Sequence, residues 1–280
     1  MGIFDRFKKQ GEDSEGKTGV FDPNQLKDFH PYDTGLAQTI QALAAEFHEK
    51  AMCALKPCDR DQFIALLGGI SALRKTPGIP GPDQSGPDYF TALPRCASKE
   101  AEEECRAHLE KVFGITDKKS LLDFCMKEIC CHSQYSDFRG FWEDQPPFDM
   151  AQLNKDALAF FQVARDFSAQ FYSIVGNKGY LAWDIGECIG HLRVGYACGI
   201  LNRTELDQLA EHWILKAQIF ENWADFAVSL ICGELYWDFR HGAKLPELNQ
   251  GLELWTRLVR ILLEDDTAWG SGLWYDASNR

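Results

Sequence analysis

Asp184, Glu187 and His191 are the residues of this chain whose types and spacing most invite chemistry. Offsets of three and four place them on one face of a helix. Two carboxylates and an imidazole in that arrangement can chelate a metal ion, or one acid can orient His191 as a general base. The competing structural reading is a solvated polar stripe on a core helix, its acids near the positive N-terminal end. Arg193 lies on the same segment and points away from the stripe. If buried, it needs an acid such as Asp225 or Glu234, which makes it a structural ion pair first and an anion site second. Asp184, Glu187, His191 and Arg193 together form the candidate polar site.

A second constellation carries metal-binding residue types. Cys105 and His108 stand three apart on one predicted helix, and the next carries Cys125, Cys130, Cys131 and His132. The set holds enough donors for zinc, with Cys105, His108, Cys130, Cys131 and His132 as its members. No CxxC pair exists, however, and Cys125 and Cys130 align poorly on a helix. Nothing marks one thiol as an activated nucleophile. There is also no P-loop, no GxGxxG after a strand, no GxSxG elbow and no HExxH. No catalytic residue, metal or cofactor is assigned, and the reading leans away from an enzyme.

The element that must position the candidate site is "YLAWDIGECIGHLRVGYACGIL", residues 180–201. It reads as a helix containing Gly186, Gly190, Gly195 and Gly199, each costing roughly 1 kcal/mol against alanine. On a helical wheel Leu181, Ile185, Ile189, Leu192 and Tyr196 share one arc. Ala182, Gly186, Gly190 and Ala197 make an adjoining arc of small residues. A helix apolar or small around most of its circumference belongs in the core. A face without side chains lets a neighbour approach closely, and the added dispersion contacts offset the propensity cost.

The remaining chain predicts helices as well. Apolar residues recur at helical spacing through Leu36, Ile40, Leu43, Phe47 and Met52, with Pro57 as the stop. Asp59 can cap "RDQFIALLGGISALRK". The run "TPGIPGPDQSGPD", residues 76–88, is too rich in Pro and Gly for a helix or central strand. Ser98 and Gly114 bracket another helix, and Thr116 can cap the one after it. Residues 150–175 read as one long Phe-rich helix. Asn202 with Glu205 matches a capping box, Asn222 can cap a further helix, and 247–264 form the last. Trp213, Trp223, Tyr236, Trp237 and Trp255 sit on predicted helices as core or docking residues. Two tryptophans in the tail show no periodicity. Alternating strands are absent. The expected fold is all-α, a multi-helix globular bundle with a central Gly-rich buried helix at about 180–200. The expected organisation is a flexible segment at 1–20, a helical subdomain at 21–88 ending in the Pro/Gly loop, and a main helical domain at 89–280.

The chain has 280 residues, 45% hydrophobic and 25% charged, and a formal net charge of −13. An acidic surface repels phosphate backbones and anionic lipid, which argues against nucleic-acid binding and suits a basic protein partner. No segment reaches the roughly 20 apolar residues of a membrane span. The start "MGIFDRFKKQ" is a short amphipathic turn without a secretory apolar run, and Arg6 stands where a myristoylation motif wants Ser or Thr. A cytoplasmic, reducing location is expected, with most of the 10 cysteines acting as small buried hydrophobes.

The blocks "FGITDKKSLLDFCMKEICCH", "AWDIGECIGHLRVGYACGILNRTELDQLAEHW" and "WADFAVSLICGELYW" carry a family resemblance. The chain resembles the bacterial domain of unknown function family 1266 (DUF1266), the YbeU/YbeR-like group, over roughly residues 105–240. The shared order runs through Gly114-Ile115-Thr116-Asp117, Trp183-Asp184, Arg193, Gly195-Tyr196, Gly199, Trp223, Phe226, Gly233 and Trp237. The family pattern places a basic residue three after Trp-Asp, where this chain has Glu187. The resemblance implies a helical bacterial cytoplasmic domain and no particular activity, cofactor or catalytic residue. Three function classes follow: a non-catalytic protein-interaction or scaffold domain, placed first; an acidic, immunity-type antagonist of a basic partner; and an enzyme or small-ligand receptor with a pocket beside the 184–193 helix.

Overall fold

The computed structural model describes residues 35–51, 54–86 and 88–277. The N-terminal segment expected to be flexible, its amphipathic turn and Met52 lie outside the described residues. The fold is all-α, with one very short parallel ladder.

Helix α1 (Leu36–Lys50) buries Leu36, Ile40, Leu43 and Phe47 on one face and ends before Pro57 is reached. A two-residue strand, β1 (Lys56–Pro57), leads to α2 (Arg60–Leu67). The Asp59 carboxylate caps α2 by accepting from the Gln62 backbone N–H at 2.9 Å. The short α3 (Gly69–Leu73) follows at once. The loop after it was expected to lack helix, yet it holds one turn, α4 (Pro82–Ser85), with a proline at its start, where a missing N–H costs nothing.

Helix α5 (Lys99–Phe113) runs between the Ser98 cap and Gly114, whose φ of 67° ends it. The cap of α6 (Lys118–Lys127) is Asp117 rather than Thr116, its carboxylate 2.7 Å from the Ser120 N–H. The chain then breaks, and α7 (Cys131–Trp142) begins afresh, so Cys125 and Cys131 do not share a helix. The long helix expected at 150–175 is also divided. A 3-10 turn (Met150–Gln152) precedes α8 (Lys155–Ala169), which Asn154 caps at 2.8 Å, and α9 (Tyr172–Val175) is separate. The capping side chain restarts the hydrogen-bond ladder that hydrophobic spacing alone would continue.

Four long helices complete the chain: α10 (Leu181–Ala197), α11 (Arg203–Ala217), α12 (Trp223–Arg240) and α13 (Leu245–Glu264). Every residue of α10 except Glu187 and Tyr196 is buried. Its neighbours are α2, α3, α6, α7, α11 and α12, while α1 rests on α12 and α13. The Gly-rich helix is therefore central. At Gly190 an added Cβ would stand 2.6 Å from the Ser71 Cβ, so α3 presses on bare backbone there. Gly199 is different. It lies beyond the end of α10 with φ +73°, and its role is to turn the chain rather than to admit a neighbour.

The aperiodic tail supplies core residues. Trp269 stacks on Trp223 with ring centres 5.2 Å apart, and its Nε1 donates to the Leu66 carbonyl at 2.8 Å. Strand β2 (Leu273–Trp274) pairs with β1 in parallel, Lys56 opposite Leu273, and ties the tail to the segment between α1 and α2. Among the described residues no helix is long and apolar enough to cross a membrane.

Candidate functional site

The four polar residues of α10 do not converge. Asp184 is turned toward α7, where its carboxylate accepts from the backbone N–H of Cys131 at 3.1 Å and of His132 at 3.2 Å. It caps a helix from another part of the chain. Burial pushes its carboxyl up to about 8, with those two N–H groups pulling the other way. Glu187 forms a two-pronged ion pair with Arg74, at 2.7 and 2.8 Å. Arg74 in turn covers the Trp255 ring at 4.9 Å. His191 Nδ1 donates to the Glu187 carbonyl at 2.8 Å, and its ring sits between Phe113 and Phe124, each 4.8 Å away. Burial holds its pKa below the usual imidazole value, so the ring is neutral near pH 7.

Arg193 differs from the other three. It is 3% exposed, and no carboxylate lies against it among the described residues. The acids proposed as its partners are engaged elsewhere. Asp225 pairs with Lys178, and Glu234 accepts from Trp183 Nε1 at 2.6 Å. One guanidinium nitrogen, Nη1, donates to the Gly68 carbonyl at 2.7 Å, where the chain passes from α2 to α3. Gly68 is needed at that point, because a Cβ there would lie 2.5 Å from Nη1. Nε is buried without an acceptor. Burial lowers the guanidinium to about 10, which still leaves it cationic at neutral pH.

A cavity of about 310 Å³ opens beside this arginine. The α3 segment, the loop from Thr76 to Gln84 and, beyond it, Tyr89 and Pro94 form one wall, and Arg193 with Val194 form the other. Tyr89 braces the wall by donating its hydroxyl to the Ala72 carbonyl at 2.5 Å. Among the described residues the lining includes the cations Arg74, Lys75 and Arg193 against the single acid Asp83. That is a local reversal of sign in a chain of net charge −13. The volume lies at the lower end for small-molecule sites.

Residues 108–270 match the family described as protein of unknown function (DUF1266). The chain belongs to the DUF1266 family. The matched span extends past the blocks quoted from the sequence, to the tail tryptophan Trp269 on the core. No curated protein and no solved structure matches the chain. The DUF1266 span supplies Arg193 and Val194, whereas α3 and the loop 76–88 precede it. The cavity is thus assembled between the family segment and the chain before it.

The cysteine and histidine set divides in the same concrete way. Cys105 lies against Cys198 and Cys96, below the end of α10. Cys131 and His132 begin α7, held by Asp184. Among the described residues no group of three or more His, Cys, Asp or Glu side chains is placed to hold a metal ion. Sequence reasoning missed Arg74, Tyr89 and the loop wall. The Pro/Gly density of residues 76–88 was the available signal, and it reads equally well as a boundary between subdomains.

Proposed function

We propose that this DUF1266 chain binds a small organic ligand in the cavity between α3, the loop 76–88 and α10, and that it does so without catalysing a reaction. The observation that carries the reading is Arg193, a buried cation at the cavity wall with no carboxylate partner among the described residues. An uncompensated buried charge is costly, and proteins keep such groups where something else answers them. Asp184, Glu187 and His191, the groups best suited to acid–base work, already have structural partners. The scaffold and antagonist readings rest on acidity alone, while this one rests on a place in the fold.

The test is a thermal-shift survey of small metabolites on the wild type and on Ile79→Trp, which fills the cavity from its loop side. Compounds that raise the melting temperature of the wild type and not of the filled variant support the reading. Stabilisation that is indifferent to the filling, or no stabilisation by any compound, overturns it.

A further inference from the structure

We infer that the ligand is a carboxylic acid with an apolar body, its carboxylate seated on Arg193 and its body against Leu73, Ile79, Pro94 and Val194. The inference rests on the cavity being a binding site, and it names the class of molecule bound there.

The guanidinium has spent one side only. Nη1 is committed to the Gly68 carbonyl, which fixes the plane of the group. The edge formed by Nε and Nη2 has no acceptor among the described residues. Nε is sealed from solvent, so the donor left open at the cavity is Nη2, which can give a charge-assisted hydrogen bond to a carboxylate oxygen. The other cations add little buried charge. Arg74 is neutralised by Glu187, and Lys75 is exposed. Asp83, also on the lining, subtracts. One unspent guanidinium thus answers one negative charge, which favours a carboxylate over a phosphate dianion. The remainder of the wall sets hydrocarbon from Leu73, Ile79, Pro94 and Val194 beside the polar side chains of Ser71, Thr76, Gln84 and Tyr89. An inorganic ion leaves that surface uncovered, whereas a short aliphatic or aromatic acid covers it.

The same reading explains why the protein tolerates Arg193 at all. A charge retained for a ligand is a cost to the empty protein, so its removal should stabilise the fold while abolishing recognition. A purely structural arginine, kept to hold the α2–α3 junction through Gly68, behaves in the opposite way.

The experiment is calorimetric titration of the full chain with sodium octanoate, 1-octanol, octyl phosphate and inorganic phosphate. The wild type is expected to bind octanoate at least tenfold more tightly than octanol, and more tightly than either phosphate. Arg193→Met is expected to lose at least tenfold in octanoate affinity, to keep its octanol affinity and to melt at a higher temperature than the wild type. Arg193→Lys, which retains the charge on a differently placed head, should fall between them. Equal binding of octanoate and octanol by the wild type overturns the carboxylate assignment while leaving the cavity as a site. Tighter binding of octyl phosphate or of phosphate overturns it in favour of a phosphate ligand. Binding of none of the four overturns it also, and the metabolite survey then decides separately whether the cavity is a site. The wild-type comparison stands even if a variant fails to fold. An Arg193→Met protein that folds but melts lower assigns the arginine to structure and removes the inference.

Discussion

Asp184 and Arg193 are charges on the same helix, 5% and 3% exposed, yet their surroundings are opposite. The flank of α10 that carries Asp184 faces α7 and offers two backbone N–H groups to the carboxylate. The flank that carries Arg193 faces Gly68, α3 and a cavity, and offers a single carbonyl. His191 belongs with the first flank, wedged between two phenylalanines and bonded within its own helix. Burial alone therefore does not mark a functional group. Nor does a buried donor without an acceptor, a loss of about 1–3 kcal/mol that Trp255 Nε1 also carries; what sets Arg193 apart is that its charge borders a cavity.

The comparison can be broken first at Gly190. Gly190→Leu forces a side chain into Ser71 and should cost about 3 kcal/mol or more, seen as a large fall in the urea midpoint or as loss of soluble protein. Glu187→Ala, on the same helix, leaves the largely buried Arg74 without its carboxylate and should cost less, about 2 kcal/mol. Equal midpoints for the two variants would mean that α3 yields and that the bare backbone at 190 is not a packing requirement.

Asp184 sharpens the comparison through pH. Its folded pKa of about 8 lies above the ordinary 3.8, so folding takes up a proton between those values. The contribution is present below about pH 4 and is lost as the pH rises to 8. Asp184→Asn removes this dependence. The stability of the wild type relative to that variant should fall between pH 5 and pH 8, by an amount on the order of 4 kcal/mol. A constant gap across that range would show that the two N–H groups, not burial, govern this carboxyl. The smallest effect belongs to His191→Phe. It should change stability by less than about 1 kcal/mol, because the ring touches aromatic neighbours and bonds only to its own helix. A loss of several kcal/mol on thermal unfolding would assign the imidazole a role beyond packing.

Local features of this chain were legible from residue order. Asp59, Ser98, Asn202 with Glu205, and Asn222 each cap the helix that follows, because donor and acceptor lie within three residues of each other. The apolar spacing in α1 and the all-round burial of α10 follow from one side-chain period. Breaks were harder. The interruption between α6 and α7 places Cys131 and His132 at a helix start whose cap, Asp184, is 53 residues from Cys131. Gly199 looks like a member of the glycine series until its backbone angle shows a chain reversal. The candidate polar residues were nameable, but their directions were not, since each is set by a neighbour from a distant segment.

The sequence by itself determined most of the helices though not their breaks, the membership in DUF1266, and a core helix with a face bare enough to be approached closely. Those are properties of residue type and spacing along one strand of chain. Only the tertiary structure decided that Asp225 and Glu234 are engaged elsewhere and that a loop rich in proline and glycine closes a cavity over Arg193. The reason is that a charge is paired or stranded according to what lies within about 4 Å of it, and that neighbourhood is a sum over segments far apart in sequence.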